Sequence, residues 1–418
     1  MANYLVDGSD LTSIADAIRT KGNTSSSLTF PTEFVSAIED IPTGGGGGIT
    51  PAPVKLINFI DYDGTVLHSY TASEFAEVTA LPANPTHHSN LIPQGWNRTL
   101  AQIQAHVSAF PHARIDIGQV YRTIDGKTHL HIYYDTANNL LGKEHYFLYT
   151  QTDSYGVEID WGDGSEIETH STTGSRVECI HNYSEPGEYE VTFNVVSGTM
   201  SFQCSSGSCV IGSTYYPDRG WNRSTVQAIE IGDNVTAIGD YAFAYCQQME
   251  TITISPDVTS IGTEAFDGMY SLRAIVMPNS ITSLGQYAFW MCPSIKFISL
   301  PYSMTSWSDY IFQSCENIPS IIIPNGIASI AQYTFDQCRT MHTIVIPSSV
   351  TSIAAYAFRN ATGVAEYHFQ STTPPTLANT NAFYSLQSWT KIYVPSASVN
   401  AYKTATNWST YASQIQGE

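Results

Sequence analysis

Three groups of residues have the types and spacing for chemistry. Asp61 and Asp63 follow an apolar run in the segment L-I-N-F-I-D-Y-D-G-T. Paired carboxylates at a strand end are residue types suited to metal-assisted phosphoryl transfer. Asp63-Gly64 is better explained as a β-hairpin turn, mirrored at Asp125-Gly126. His129 and His131 flank Leu130 in a strand pattern, so both point to one face. In a three-fold assembly they could meet on the axis as a metal site; otherwise they are solvated. Asp160 and Asp163 offer too few oxygens for the six to eight ligands of Ca²⁺, and are expected to bond turn N–H groups. No catalytic residue is assigned and no cofactor is expected.

Charge and composition narrow the classes further. The 418 residues carry a formal net charge of −20, which opposes binding to nucleic acid or to an anionic membrane surface. No stretch approaches the ~20 apolar residues of a membrane span. The start, M-A-N-Y-L-V-D-G-S-D, lacks the basic and apolar parts of a signal peptide. Synthesis in a cytoplasm and release without the usual export route are therefore expected. Of the seven cysteines, Cys204 and Cys209 are close enough for a small loop disulfide. Cys246, Cys292, Cys315 and Cys338 recur at one spacing, with Met269 and Ala361 in equivalent places. Such replacements suit buried thiols used for packing, not paired zinc ligands.

That spacing belongs to a repeat. Phenylalanine recurs every 23 residues at Phe243, Phe266, Phe289, Phe312, Phe335 and Phe358, in step with Val235, Val258, Ile281, Met304, Ile327 and Val350. A fixed period of this length with apolar columns predicts a stacked solenoid. Within each unit, pairs such as Ile275/Met277 and Ile321/Ile323 alternate like a short strand, which a proline then stops at Pro278, Pro301, Pro324 and Pro347. A turn with a helical or 3₁₀ twist is expected at Y-A-F-x-x-C. At a strand spacing of ~4.8 Å, six coils give a rod segment roughly 30 Å long.

The segments V-T-A-I-G-D-Y-A-F-A-Y-C and V-T-S-I-G-T-E-A-F-D-G-M resemble the BspA-like leucine-rich repeats, and residues 371–415 resemble the closing unit of those arrays. That resemblance implies a surface adhesion or recognition protein. The segment V-E-I-D-W-G-D-G-S with H-N-Y-S-E-P-G-E-Y-E-V is similar to PKD-type β-sandwiches, which implies a spacer or a carbohydrate-contact module. The start of the chain, L-T-S-I-A-D-A-I-R-T-K-G, and residues 54–140 resemble modules of phage tail proteins. The D-x-D-G-T run is similar to the first motif of haloacid-dehalogenase-type phosphotransferases, which implies Asp61 as nucleophile and Asp63 as general acid with Mg²⁺ between them; the phosphate-binding Ser or Thr, the lysine and the further acidic pair of that family do not follow.

The expected fold is mainly β and multidomain. It comprises a helical attachment segment (1–43), a Gly-rich linker (44–53), a small α+β domain (54–140), a PKD-like β-sandwich (141–200), a connector (201–225), a BspA-like leucine-rich-repeat solenoid of 23-residue coils (226–370) and a capping unit (371–418). G-W-N-R-S at 220–224 echoes G-W-N-R-T at 95–99, with no account from sequence.

Two residues before the phenylalanine column stand Tyr241, Tyr287, Tyr310, Tyr333 and Tyr356, with Glu264 as the exception. An inward phenylalanine leaves this column partly exposed. With nearby serines it forms either a receptor-binding row or a stacking ladder that stiffens the coil. Trp290, Trp307 and Phe297 break their columns and are candidate anchors. The leading expectation is a non-enzymatic phage tail fibre or tail-tip protein. Residues 1–43 would join other virion tail proteins, the solenoid would contact a bacterial cell-surface glycan or protein, and trimerisation follows by analogy. The alternative is a bacterial surface adhesin built on the same repeats.

Overall fold

The computed structural model describes residues 54–86, 90–111, 113–134, 145–202 and 225–418. The expected attachment segment, the glycine run, the Cys204/Cys209 pair and the second G-W-N-R motif lie outside the described residues. Residues 56–418 form one compact unit.

The unit begins with strands β1 (Ile57–Ile60) and β2 (Val66–Tyr70), an antiparallel hairpin. Helix α1 (Ala72–Ala76), strand β3 (Leu91–Trp96), helix α2 (Leu100–Ala109) and strand β4 (Ile115–Thr123) follow, giving sheet order β2-β1-β4-β3. Both helices start in capping boxes. Thr71 pairs reciprocally with Glu74 and Thr99 with Gln102, so two orphan N–H groups are satisfied at each start. Alternation along the strands sends Ile57, Phe59, Ile115 and Ile117 to the helices, where they pack on Phe75, Ile103 and Val107. The opposite residues, among them Ile60, Gly118 and Val120, face the solenoid.

Strand β5 (Thr128–Tyr134) leaves this sheet. The Asp125-Gly126 turn is present, but β4 and β5 do not pair across it as a hairpin would; β5 lies between β10 (Gly187–Val195) and the strand Val226–Glu230. Residues 54–140 therefore contribute to two sheets. The remaining sandwich strands are β6 (His145–Gln151), β7 (Val157–Asp160), β8 (Glu168–Thr169), β9 (Val177–His181) and β11 (Met200–Phe202).

Each sandwich sheet continues into one face of the solenoid. Sheet β8-β7-β10-β5 runs on through Val226–Glu230 to Thr251–Thr253. Sheet β9-β6-β11 runs on through Val235–Ile238, Ser260–Ile261, Ser283–Leu284 and Ser306–Trp307, all parallel. The register advances 23 residues per coil, as in Ile275↔Ile298 and Ile344↔Tyr367. One core passes without a break from Leu130 to Ile415. Inside it the phenylalanines stack at 5.2–5.9 Å from Phe243 to Phe358 and on to Phe383.

The Y-A-F-x-x-C segments are turns without a helix. Their N–H groups bond forward to the next coil: Tyr241 to Thr263 O at 2.8 Å, Phe243 to Ala265 O at 2.8 Å and Phe266 to Ala288 O at 2.9 Å. A helix would have used those donors internally. The column cysteines are buried thiols outside any disulfide, and Cys292, Cys315 and Cys338 donate Sγ–H to the carbonyls of Phe266, Phe289 and Phe312 at 3.0–3.1 Å. Burial pushes the Cys292 and Cys338 thiols well above their usual range. At the far end Tyr402, Trp408 and Tyr411 close the core over Phe369 and Phe383. Trp408 Nε1 donates to Pro375 O at 2.7 Å. Among the described residues, no helix is long and apolar enough to cross a membrane.

Candidate functional site

The tyrosine column is a ladder at the turn edge of the coils. Tyr287–Tyr310, Tyr310–Tyr333 and Tyr333–Tyr356 stack at 4.4, 4.7 and 5.1 Å, with ring planes within 20°. All four rings are half-buried. Their backbones are left-handed, φ +55° to +63°, which costs a non-glycine residue roughly 1–2 kcal/mol; coil-to-coil bonds and ring stacking offset it. Stacking occupies the ring faces. The row therefore offers ring edges and phenol hydroxyls to a ligand, and not the open faces that sugars stack on.

The ends of the row are defined. Trp290 is half-buried and tilted against Tyr287 at 5.3 Å. At the other end Arg359 lies 4.8 Å over Tyr333 and 5.5 Å over Tyr356. Its guanidinium is held bidentately by buried Asp336 at 2.9 and 2.5 Å, and Gln313 Nε2 bonds the same carboxylate at 2.8 Å. Asn381 donates to the Tyr356 hydroxyl at 3.2 Å, and exposed Tyr384 stands edge-on beyond it. Burial, then Tyr287, raises the Tyr310 phenol above its usual pKa. Tyr241 stands apart from the row: Glu264 interrupts the column and is bonded by Tyr241, while burial raises the Glu264 carboxyl.

One expected anchor is buried and another is half-buried under a neighbouring unit. Trp307 is buried in the core, edge-on to Phe312 and Phe335, and its Nε1 donates to Ser329 O at 3.0 Å. Phe297 is covered by the α+β unit, with Arg114 4.9 Å over its ring and Ile60, Val120 and Val276 beside it. The signal for this cover was available. The outward strand positions Val276, Ile322 and Val345 are apolar where a solvated face would be polar, and each packs against residues of the α+β unit.

The first G-W-N-R motif supplies the central plug of that contact. Asn97 is buried; its Nδ2 donates to Ser299 Oγ at 2.8 Å and Met277 O at 3.2 Å, and its Oδ1 accepts from Gly118 N–H at 3.1 Å. Ser299 Oγ in turn donates to Asp116 O at 2.9 Å. A Cβ at Gly118 would stand 2.3 Å from Val276 Cγ1, so only glycine permits the approach.

The remaining chemical candidates are turn and strand residues. Asp61 is buried and accepts from Tyr62 N–H at 2.8 Å, while Asp63 accepts from Thr65 N–H at 2.8 Å and its hydroxyl at 2.9 Å. Asp160 and Asp163 bond the N–H groups of Gly162 and Ser165 at 2.9 and 3.0 Å. His129 sits between Asp125, at 2.9 Å, and Glu190, so its nitrogens are taken by carboxylates; His131 lies two residues along β5. Burial opposes charge on His129, and these partners outweigh it and raise its pKa. Among the described residues no group of three or more His, Cys, Asp or Glu could hold a metal ion.

Residues 217–342 and 328–415 match the model of the BspA type leucine rich repeat region, in six copies. The C-terminal part of the chain therefore carries BspA-type leucine-rich repeats in a β-solenoid. No curated protein matches the chain. Similar solved structures include a leucine rich repeat protein of T. pallidum, 19% identical, covering 49% of this chain and 92% of that one, TM-score 0.33. A leucine rich cell surface protein of Faecalibacterium prausnitzii is 19% identical, covering 47% and 60%, TM-score 0.26. A leucine-rich repeat protein of Bacteroides ovatus is 20% identical, covering 47% and 61%, TM-score 0.28. The match thus spans about three fifths of the latter two proteins.

Proposed function

We propose that the chain is a non-enzymatic recognition protein acting outside the cell that makes it, which contacts a bacterial surface glycan or protein along the row Tyr287–Tyr310–Tyr333–Tyr356. The observation that carries this reading is the row itself: half-exposed phenols at one-coil spacing, ended by Trp290 and Arg359. A rigid file of hydroxyls loses little side-chain entropy on binding and suits a ligand rich in hydrogen-bonding groups. The BspA-type repeats favour a bacterial surface adhesin as its carrier. The likeness of residues 1–43 to phage tail modules supports a second carrier, a virion tail, with residues 141–200 as a PKD-like spacer in either case. Antibody detection of the chain on intact producer cells against purified particles separates the two.

The row is tested by binding of the full chain to intact candidate cells. Paired Tyr310→Phe and Tyr333→Phe substitutions keep the stack and remove two hydroxyls. They are expected to weaken binding about tenfold, with an unchanged thermal midpoint, at roughly 0.5–1.5 kcal/mol per hydrogen bond lost. Equal binding by wild type and the pair would remove the row from recognition. Asp61 and Asp63 are assigned to their turn, so metal-supplemented phosphatase assays should show no turnover that Asp61→Asn abolishes.

A further inference from the structure

A second site lies on another face of the solenoid, where α2 crosses the strands, and it stands independently of the tyrosine row. Arg98, between β3 and α2, is only 6% exposed. Its guanidinium makes one long bond, Nη2 to Leu300 O at 3.4 Å, and its Nε is buried with no acceptor. Asp116, the nearest buried acid along the chain, is bonded by Arg114 and Asn58 instead. A buried cation is normally paired, because an uncompensated one costs several kcal/mol in lost hydration.

Arg98 lines a cleft of about 140 Å³ formed by α2 and the coils around Tyr302, Pro324 and Pro347. Gln102 and His106, four residues apart on one face of α2, line it as well, as do Asn325 and Gln370 from the solenoid. His106 Nε2 is buried and has no hydrogen-bond partner. No carboxylate lines the cleft. Tyr302, 38% exposed, forms its rim and accepts from Asn325 Nδ2 at 3.1 Å. The cleft thus gathers a guanidinium, an imidazole and amides, is mostly apolar otherwise, and has room for one small group.

We propose that this cleft binds a single oxyanion group, either the carboxylate of an acidic sugar or a free phosphate, with Arg98 as the charged fork and Gln102 and His106 as further donors. Arginine presents paired N–H groups that match a carboxylate or phosphate bidentately. Burial and the charge of Arg98 push His106 down to about 4, so at neutral pH it is a neutral ring able to donate one N–H. Arg98, His106 and Tyr302 are the titratable groups of the lining.

The test is calorimetric titration of the full chain, in low-salt buffer, with glucuronate, acetate and inorganic phosphate. Saturable binding of at least one is expected, with an upward shift of the His106 pKa followed by NMR. Preference for glucuronate over acetate and phosphate would identify an acidic-sugar site, and preference for phosphate an inorganic-ion site. Arg98→Met should weaken binding more than about 30-fold without lowering the thermal midpoint in anion-free buffer. Gln102→Leu, which leaves the cation in place, should weaken it severalfold. The proposal fails if wild type binds none of the three, or if Arg98→Met binds as wild type. Should Arg98→Met not fold, undiminished binding by Gln102→Leu overturns it.

Discussion

His368 shows how single residues set local conditions for stability. Its ring is stacked on Tyr393 at 4.8 Å and bonded to Glu418 at 2.7 Å and Glu366 at 3.3 Å. Burial opposes its charge, yet the two carboxylates prevail and raise its pKa from 6.5 to about 9. A histidine pKa raised by folding contributes stability in full below the unfolded value and loses it as pH rises through the folded one. Between about pH 6 and pH 10 the wild type should therefore lose on the order of 2 kcal/mol that His368→Gln does not, allowing for screening at the partly exposed Glu418. Urea midpoints of both proteins across that range measure the difference. The site was partly legible at this scale. A tyrosine column could be read from spacing, but Trp307 and Phe297 could not be placed, because breaking a column says nothing about which neighbour covers the larger ring.

Among elements, the repeat was the most legible feature, since apolar columns kept in step over six units leave few alternatives to stacked coils. The turns were less so. Tyr241, Tyr287, Tyr310, Tyr333 and Tyr356 adopt left-handed backbone, which propensity assigns to Gly or Asn; bonds to the next coil at Tyr241, Tyr287 and Tyr310, and ring stacking from Tyr287 to Tyr356, hold it. The fate of β5 was hidden as well. The Asp125-Gly126 turn is a strong hairpin signal, but the strand pairs instead with β10, seven residues in register. The fit of the α+β unit against the coils can be probed at Gly118. Gly118→Val would drive its side chain into Val276, and should cost about 1–3 kcal/mol or release the unit. Loss of protection from proteolysis at residues 54–123, with the solenoid still intact, would mark release.

For the whole molecule the two ends matter most. Parallel coils present unpaired strand edges and an apolar cross-section wherever a stack stops. The sandwich covers one end, with Phe202 against Phe243 at 5.4 Å, and the Tyr402–Trp408–Tyr411 cluster covers the other. Trp408→Ala should cost about 3–5 kcal/mol and open the last coil. Concentration-dependent association by light scattering is the expected consequence, and a monodisperse variant of wild-type stability would show that the cluster is dispensable.

The α+β unit also works as a gauge of coil number. It touches the stack at Asp257 through Arg122, at Val276 through Gly118, at Ser299 through Asn97, and at Val345 through Phe110. The first three contacts sit on successive coils and the fourth two coils further on, so their spacing is a ruler laid along the rod. Deleting 23 residues inside that span would leave every apolar column intact and still put Asn97 opposite the wrong coil. Beyond Val345 Phe110 also meets the ring of His368, one coil further on. Lineages of this protein should therefore gain or lose whole coils only near the capped end, and the stretch under the gauge should keep its length.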